Sequence, residues 1–162
     1  MTEFNLYKFG VMVEALDMSQ KCFHLVKQLN NIVDEDCQFS PIVFYSEYAK
    51  HVDVNRFGML LDQKVWAYDG VVIATSLKSA EILLNCPCPK RKFLYVWNLD
   101  WLYNQYVYQY LQHIYQGELE LIARNTHHAK VITTCWKKPA YIMDNFDSTI
   151  LKQIIRGKNN ND

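Results

Sequence analysis

The sequence predicts an α/β protein: a single three-layer α/β/α domain on a mostly parallel sheet of about six strands. Three observations predict it. From Gly70 to Trp101, two apolar runs, GVVIATS and FLYVWNLDW, flank the segment LKSAEILLNC, which suits two parallel strands joined by a crossover helix. The same alternation of short apolar runs with segments of helical spacing continues in both directions along the chain. At 162 residues, the chain suits one core that buries roughly two thirds of the surface its unfolded form exposes.

Taken in order, Tyr7 to Leu16 is the first strand, interrupted near its end by Glu14. Cys22, Leu25, Val26, Leu29 and Val33 then fall on one helical stripe, with Asp17 or Ser19 available as its cap. IVFYS, Ile42 to Ser46, is the second strand after Pro41. From Glu47 to Asp69 the pattern suggests a loop and then a short helix near Met59 to Tyr68. Val71 to Thr75 is the third strand, with Ser76 capping a helix that carries Ala80, Leu83 and Leu84. Phe93 to Trp97 is the fourth.

Leu102 to Gly117 contains no Asp, Glu, Lys or Arg. Tyr103, Tyr106, Val107, Tyr110, Leu111 and Ile114 make a helical stripe there, with Tyr108 and Tyr115 lying off it. Two readings stand for this helix: one tucked between neighbours, or a subunit interface, where tyrosine is enriched and charge depleted. Leu119 to Ala123 is the fifth strand. Asn125 caps a helix with Ala129, Ile132 and Trp136 on one face, although VITT could instead be a strand. Ala140 to Met143 is the last strand, and Asp147 caps a final helix that buries Ile150, Leu151, Ile154 and Ile155. The domain is expected to span residues 1–157, with a disordered polar tail over 158–162.

The bulk composition excludes several classes. There are 17 basic and 17 acidic residues, with 5 basic and 8 acidic ones in residues 1–60. That mild asymmetry argues against a general nucleic-acid or membrane footprint, so neither partner is expected. The start MTEFNLYKFG lacks a signal-like pattern and no apolar run approaches a membrane span, which leads to a cytoplasmic expectation. Five cysteines without a framework fit reduced thiols. Cys86 and Cys88 form a C-P-C-P turn without the second close pair a zinc site needs, so no metal is expected. There is no G-x-G-x-x-G after the first strand and no G-x-x-x-x-G-K-[ST] anywhere. Dinucleotide binding and P-loop hydrolysis are disfavoured, and no cofactor is expected. A receiver-like domain would need an acidic end to the third strand, which here ends in Ala74, Thr75 and Ser76. A flavodoxin-like domain would bind a flavin and be yellow on purification.

Open parallel sheets bind ligands outside the carboxyl ends of their strands, where strand order reverses. The candidates are therefore the polar residues just after each strand. Glu14, Asp17 and Asp100 could each supply a general base for a sugar hydroxyl. Ser19, Thr75, Ser76, Asn98, Trp101, Arg124, Asn125 and Asp144 are the candidates for binding substrate. Asp17, Ser76, Asn125 and Asp147 also suit helix capping. Arg124 could bind a phosphate or carboxylate beside a helix start, or pair with Asp100 or Asp144. His127 and His128 are adjacent and diverge on a helix, while His24 lies beside a buried stripe and suits a structural role.

With this layout, the chain resembles the amino-terminal Rossmann-like half of the GT-B glycosyltransferases. GVVIATS with its helix, FLYVWNLDW, and ELELIARNTHHAKVITTCWKKPAYIMDNFDSTILKQII carry the resemblance, which covers about residues 7–156. It implies a sugar or nucleotide-sugar ligand, with Glu14, Asp17, Asp100 and Arg124 on the acceptor side of the cleft. The family's donor-binding carboxy-terminal domain has no counterpart in these residues, and EALDMSQ replaces its glycine-rich turn. The implied protein is a glycosyltransferase-like half-domain without full catalysis alone, completing a site with another chain. The alternative is a non-enzymatic interaction module, forming a homodimer or binding a partner through the Tyr103–Tyr115 region.

Overall fold

The computed structural model describes residues 6–48, 54–103 and 108–157. Seven strands form one sheet: β1 Tyr7–Leu16, β2 Phe39–Tyr48, β3 Gly58–Leu61, β4 Val71–Ala74, β5 Arg91–Val96, β6 Glu120–Ala123 and β7 Tyr141–Ile142. Their order is β3-β2-β1-β4-β5-β6-β7, and every neighbouring pair is parallel. The helices are α1 Gln20–Glu35, α2 Leu77–Asn85, α3 Tyr108–Tyr115, α4 Thr126–Cys135 and α5 Ser148–Arg156, with 3₁₀ turns at Asp62–Ala67 and Asp100–Leu102. The fold is Rossmann-like.

Both faces of the sheet are covered, which is why the central strands read as near-continuous apolar runs. On one face Phe9, Val11, Val13, Ile73, Phe93 and Tyr95 pack against Leu25 and Leu29 of α1 and Leu151 and Ile154 of α5. On the other, Met12, Val72, Ala74, Leu94 and Val96 meet Ala80 and Leu83 of α2, Leu111 and Ile114 of α3, and Ile132 of α4. The strand order reverses between β1 and β4, because the crossovers after them run to opposite sides of the sheet.

The helix boundaries follow from side-chain caps. Ser19, Ser76, Asn125 and Asp147 each accept a backbone N–H from the first turn of α1, α2, α4 and α5. Asp17 stands two residues earlier, its carboxylate accepting the Ser19 N–H at 2.9 Å. VITT is helical: the Thr133 and Thr134 hydroxyls donate to the carbonyls of Ala129 and Lys130, satisfying them within the helix.

Three expectations are corrected. The region around Met59 is not the start of a helix, because Gly58–Leu61 pairs with Ile42–Tyr45 as the edge strand β3, and only Asp62–Ala67 turns helically. Pro41 lies inside β2 rather than before it. It pairs with Phe9 on β1, one residue before β3 begins to pair at Ile42. The buried face of α3 is Leu111, Ile114 and Tyr115, whereas Tyr110 is exposed and donates its hydroxyl to Glu81 at 2.6 Å. Tyr106 and Val107 of the expected stripe, and the 158–162 tail, lie outside the described residues. Among the described residues, no helix is long and apolar enough to cross a membrane.

Gly10 sits at the centre of β1 because a Cβ there would enter the ring of Phe44, which is fully buried. Gly10→Ala should therefore cost about 1–3 kcal/mol, the usual range for overpacking a dense core. Urea unfolding checks this: the midpoint should fall with the slope unchanged. A midpoint equal to that of the wild type would show that Phe44 has room to move.

Candidate functional site

At the carboxyl ends of β1, β4 and β5, where strand order reverses, the chain encloses a pocket of about 190 Å³. Its polar lining is Glu14 from β1, Lys21 from the first turn of α1, Thr75 and Ser76 after β4, and Asn98 and Asp100 after β5. Tyr95, Trp97 and Tyr115 bring aromatic surface to the same space. The position follows from topology, since crossovers on opposite faces leave the strand ends uncovered between them.

The electrostatics are of mixed sign. Burial raises the Asp100 carboxyl above its ordinary value, with Lys21 opposing that shift and Glu14 adding to it. Burial also raises the Tyr115 hydroxyl, helped by the charge of Asp100. The Lys21 ammonium donates to the Thr75 carbonyl at 3.4 Å. Two carboxylates and one ammonium thus share the pocket, with an excess of acceptors over cationic donors.

Several expected binders already have structural partners. The Thr75 hydroxyl donates to the Met12 carbonyl at 2.8 Å, and its N–H goes to the Ser79 hydroxyl at 3.1 Å. Ser76 is tied into a capping box with Ser79. The phosphate cradle that a Rossmann-like fold ordinarily builds from free N–H groups is therefore partly occupied at the start of α2 by the chain's own hydroxyls. Ser19 and Asn125 face their own helices as caps, and neither lines the pocket. Hydrogen bonding to Ser19 lowers the Asp17 carboxyl from its ordinary value, against a smaller effect of burial. Trp101 is buried edge-on to Tyr115 and Trp136, behind the pocket wall. Asp144 is exposed after β7.

Arg124 lies one strand further, after β6. Its guanidinium is 4.0 Å from the centre of the Trp97 ring and donates to the Asn145 side chain at 3.2 Å. It makes no ion pair with Asp100, Asp144 or any other described residue. Trp97 also stacks on Phe146 at 5.8 Å and meets Tyr95 edge-on. His24 sits half-buried against the same ring at 6.4 Å.

The sequence reasoning missed Lys21, Trp97 and Tyr115. Lys21 was visible in principle, because the first turn of the helix after β1 always faces the crevice in this topology. Trp97 was assigned to the end of a strand, where its ring contacts across strands cannot be read from one sequence. Among the described residues, no group of three His, Cys, Asp or Glu side chains could hold a metal ion.

The raised Asp100 carboxyl has a consequence for stability. The folded state holds that proton more tightly than the unfolded state, so the contribution of Asp100 to stability is fullest below the ordinary carboxylate value of 3.8 and is lost as pH rises through the raised value. Asp100→Asn should raise the urea midpoint at neutral pH and leave it unchanged in acid. Midpoints that run parallel to the wild type across the acidic range would rule out burial as the cause. Compared with known proteins, the chain is matched by no family model, no curated protein and no solved structure.

Proposed function

We propose that this domain binds a sugar at the β1/β4/β5 crevice, as a glycosyltransferase-like domain of the GT-B type. The observation that carries the reading is the convergence of Glu14, Lys21, Asn98 and Asp100 on one pocket at the topological switch point. Carboxylates accept hydrogen bonds from sugar hydroxyls, while the ammonium and amide donate to the ring and hydroxyl oxygens. The pocket lies below the range of about 300–1,000 Å³ typical of drug-sized ligands. That size favours one sugar ring over a whole nucleotide. The local excess of negative charge and the capped start of α2 both disfavour a phosphate inside the pocket itself. Asp100, with its raised carboxyl, is the best-placed candidate base for a hydroxyl at this site.

Titration calorimetry of the full chain against a panel of monosaccharides and nucleotide sugars tests the reading. Binding should be weak, in the millimolar to micromolar range, and should fall about tenfold or more in Glu14→Gln or Asp100→Asn, as expected for losing a hydrogen bond to a charged group. No heat with any sugar at millimolar concentration, or affinity that ignores both substitutions, would remove it.

A second reading is supported by the exposed apolar surface at the entry to α3. Leu102 and Tyr103 are 55% and 88% exposed, and Tyr108 and Tyr110 are also exposed. This surface suits self-association or a protein partner, since tyrosine is enriched and charge depleted at interface cores. Light scattering should then show a dimer that Tyr103→Glu dissociates. A monomer at all concentrations would remove the homodimer form of this reading.

A further inference from the structure

We infer that the sugar bound in this crevice carries an anionic oxyacid group, and that Arg124 is the subsite that holds it. The inference rests on the sugar-binding reading above and extends it by one strand. Arg124 is half-buried, yet among the described residues it has no carboxylate partner. A guanidinium offers five N–H donors in a planar fork, and among the described residues the acceptor it reaches is the Asn145 side chain at 3.2 Å. No other described residue takes up its remaining donors.

The fork is also held in place. Its central carbon lies 4.0 Å from the centre of the Trp97 ring, which also meets Phe146, Tyr95 and His24. Both Asn145 and Phe146 adopt left-handed backbone, with φ of 45° and 60°. Such conformations cost energy and persist where the surroundings fix them. Here they set the amide against Arg124 and the ring against Trp97. An arginine fixed by stacking and by one hydrogen bond loses little further entropy on binding phosphate or carboxylate bidentately.

Arg124 also stands in the right relation to the pocket. Trp97 lines the pocket and carries Arg124 on its ring, and β5 and β6 are adjacent, with Val96 paired to Ala123. The pocket's own cation, Lys21, is shared with Asp100 and the Thr75 carbonyl, whereas an anionic substituent turned toward β6 leaves the carboxylates and meets Arg124. The distribution of charge thus gives the ligand an orientation: hydroxyls toward the acids, oxyanion toward the guanidinium.

Calorimetry of the full chain in low-salt buffer, with glucose, glucose 1-phosphate, glucuronate and inorganic phosphate as probes, tests this. At least one anionic sugar should bind about ten- to a hundredfold more tightly than glucose, the gain expected from charge-assisted hydrogen bonds. Arg124→Gln should bring it down to the affinity that the same variant shows for glucose, and Arg124→Lys should fall between. A gain for glucose 1-phosphate alone assigns a phosphate ester; a gain for glucuronate as well assigns any oxyanion. Equal affinity for charged and neutral sugars in the wild type overturns the inference while leaving the sugar reading intact, and that comparison needs no variant to fold. An advantage that survives in Arg124→Gln also overturns it. Inorganic phosphate binding that Arg124→Gln abolishes, with no sugar bound at all, keeps the subsite and removes the sugar reading. Silence from all four probes removes both.

Discussion

The parallel pairing of β1 with β4 is the constraint on which the rest depends. Phe9 to Met12 run beside Val71 to Ala74, and both strands are buried from each face. A parallel pair cannot be joined by a tight turn, so each strand must be followed by a crossover that covers one side of the sheet. The β1 crossover goes to one side and the β4 crossover to the other, and their strand ends are left facing solvent. The ladder is closed there by a side chain: the Thr75 hydroxyl takes the Met12 carbonyl that β4 no longer reaches. Beyond that bond the strands part, and the pocket begins.

What fills the crevice follows from how its backbone groups are satisfied. In a dinucleotide-binding fold, the helix after the first strand starts on glycines and leaves its N–H groups to a pyrophosphate. Here EALDMSQ takes that place. Asp17 accepts the Ser19 N–H, Ser19 accepts that of Cys22, and the paired serines 76 and 79 do the same at α2. With these donors engaged and two carboxylates nearby, the energetic case for phosphate in the crevice weakens and the case for hydroxyls strengthens. Arg124 restores a place for negative charge, but one strand away.

The alternation of apolar runs and helical stripes was legible because strands buried on both faces cannot be anything but apolar, and because Ser19, Ser76, Asn125 and Asp147 mark helix starts by their own chemistry. β3 was not legible. It is four residues long at a sheet edge, with Leu60 and Leu61 exposed, so neither the period nor the burial of a strand is written in it. α3 defeated the periodicity argument because its outward face is also aromatic, leaving two phases of similar apolarity. Tyr115 took the inward position by packing beside Trp101 and Trp136. The list of strand-end residues found Glu14, Thr75, Ser76, Asn98 and Asp100 in the pocket. It could not separate them from Ser19 and Asn125, since capping and ligand binding call for the same residue types at the same places.

The turn after β7 shows why the rim holds its shape. Two successive non-glycine residues with positive φ carry a cost of about 1–3 kcal/mol each, with asparagine at the lower end because it tolerates that region best. The compensation lies in Phe146, which is fully buried, 4.7 Å from Tyr95 and 5.8 Å from Trp97. Truncating such a ring typically costs about 3–5 kcal/mol, enough to hold the turn in its conformation. Tyr95 adds a hydrogen bond from its hydroxyl to the Met143 carbonyl at 2.7 Å, anchoring the end of β7 beneath the turn. A relaxed turn would release both Asn145 from Arg124 and Phe146 from Trp97. Because the strain is offset within the hydrophobic core, the guanidinium at the surface is positioned before any ligand arrives.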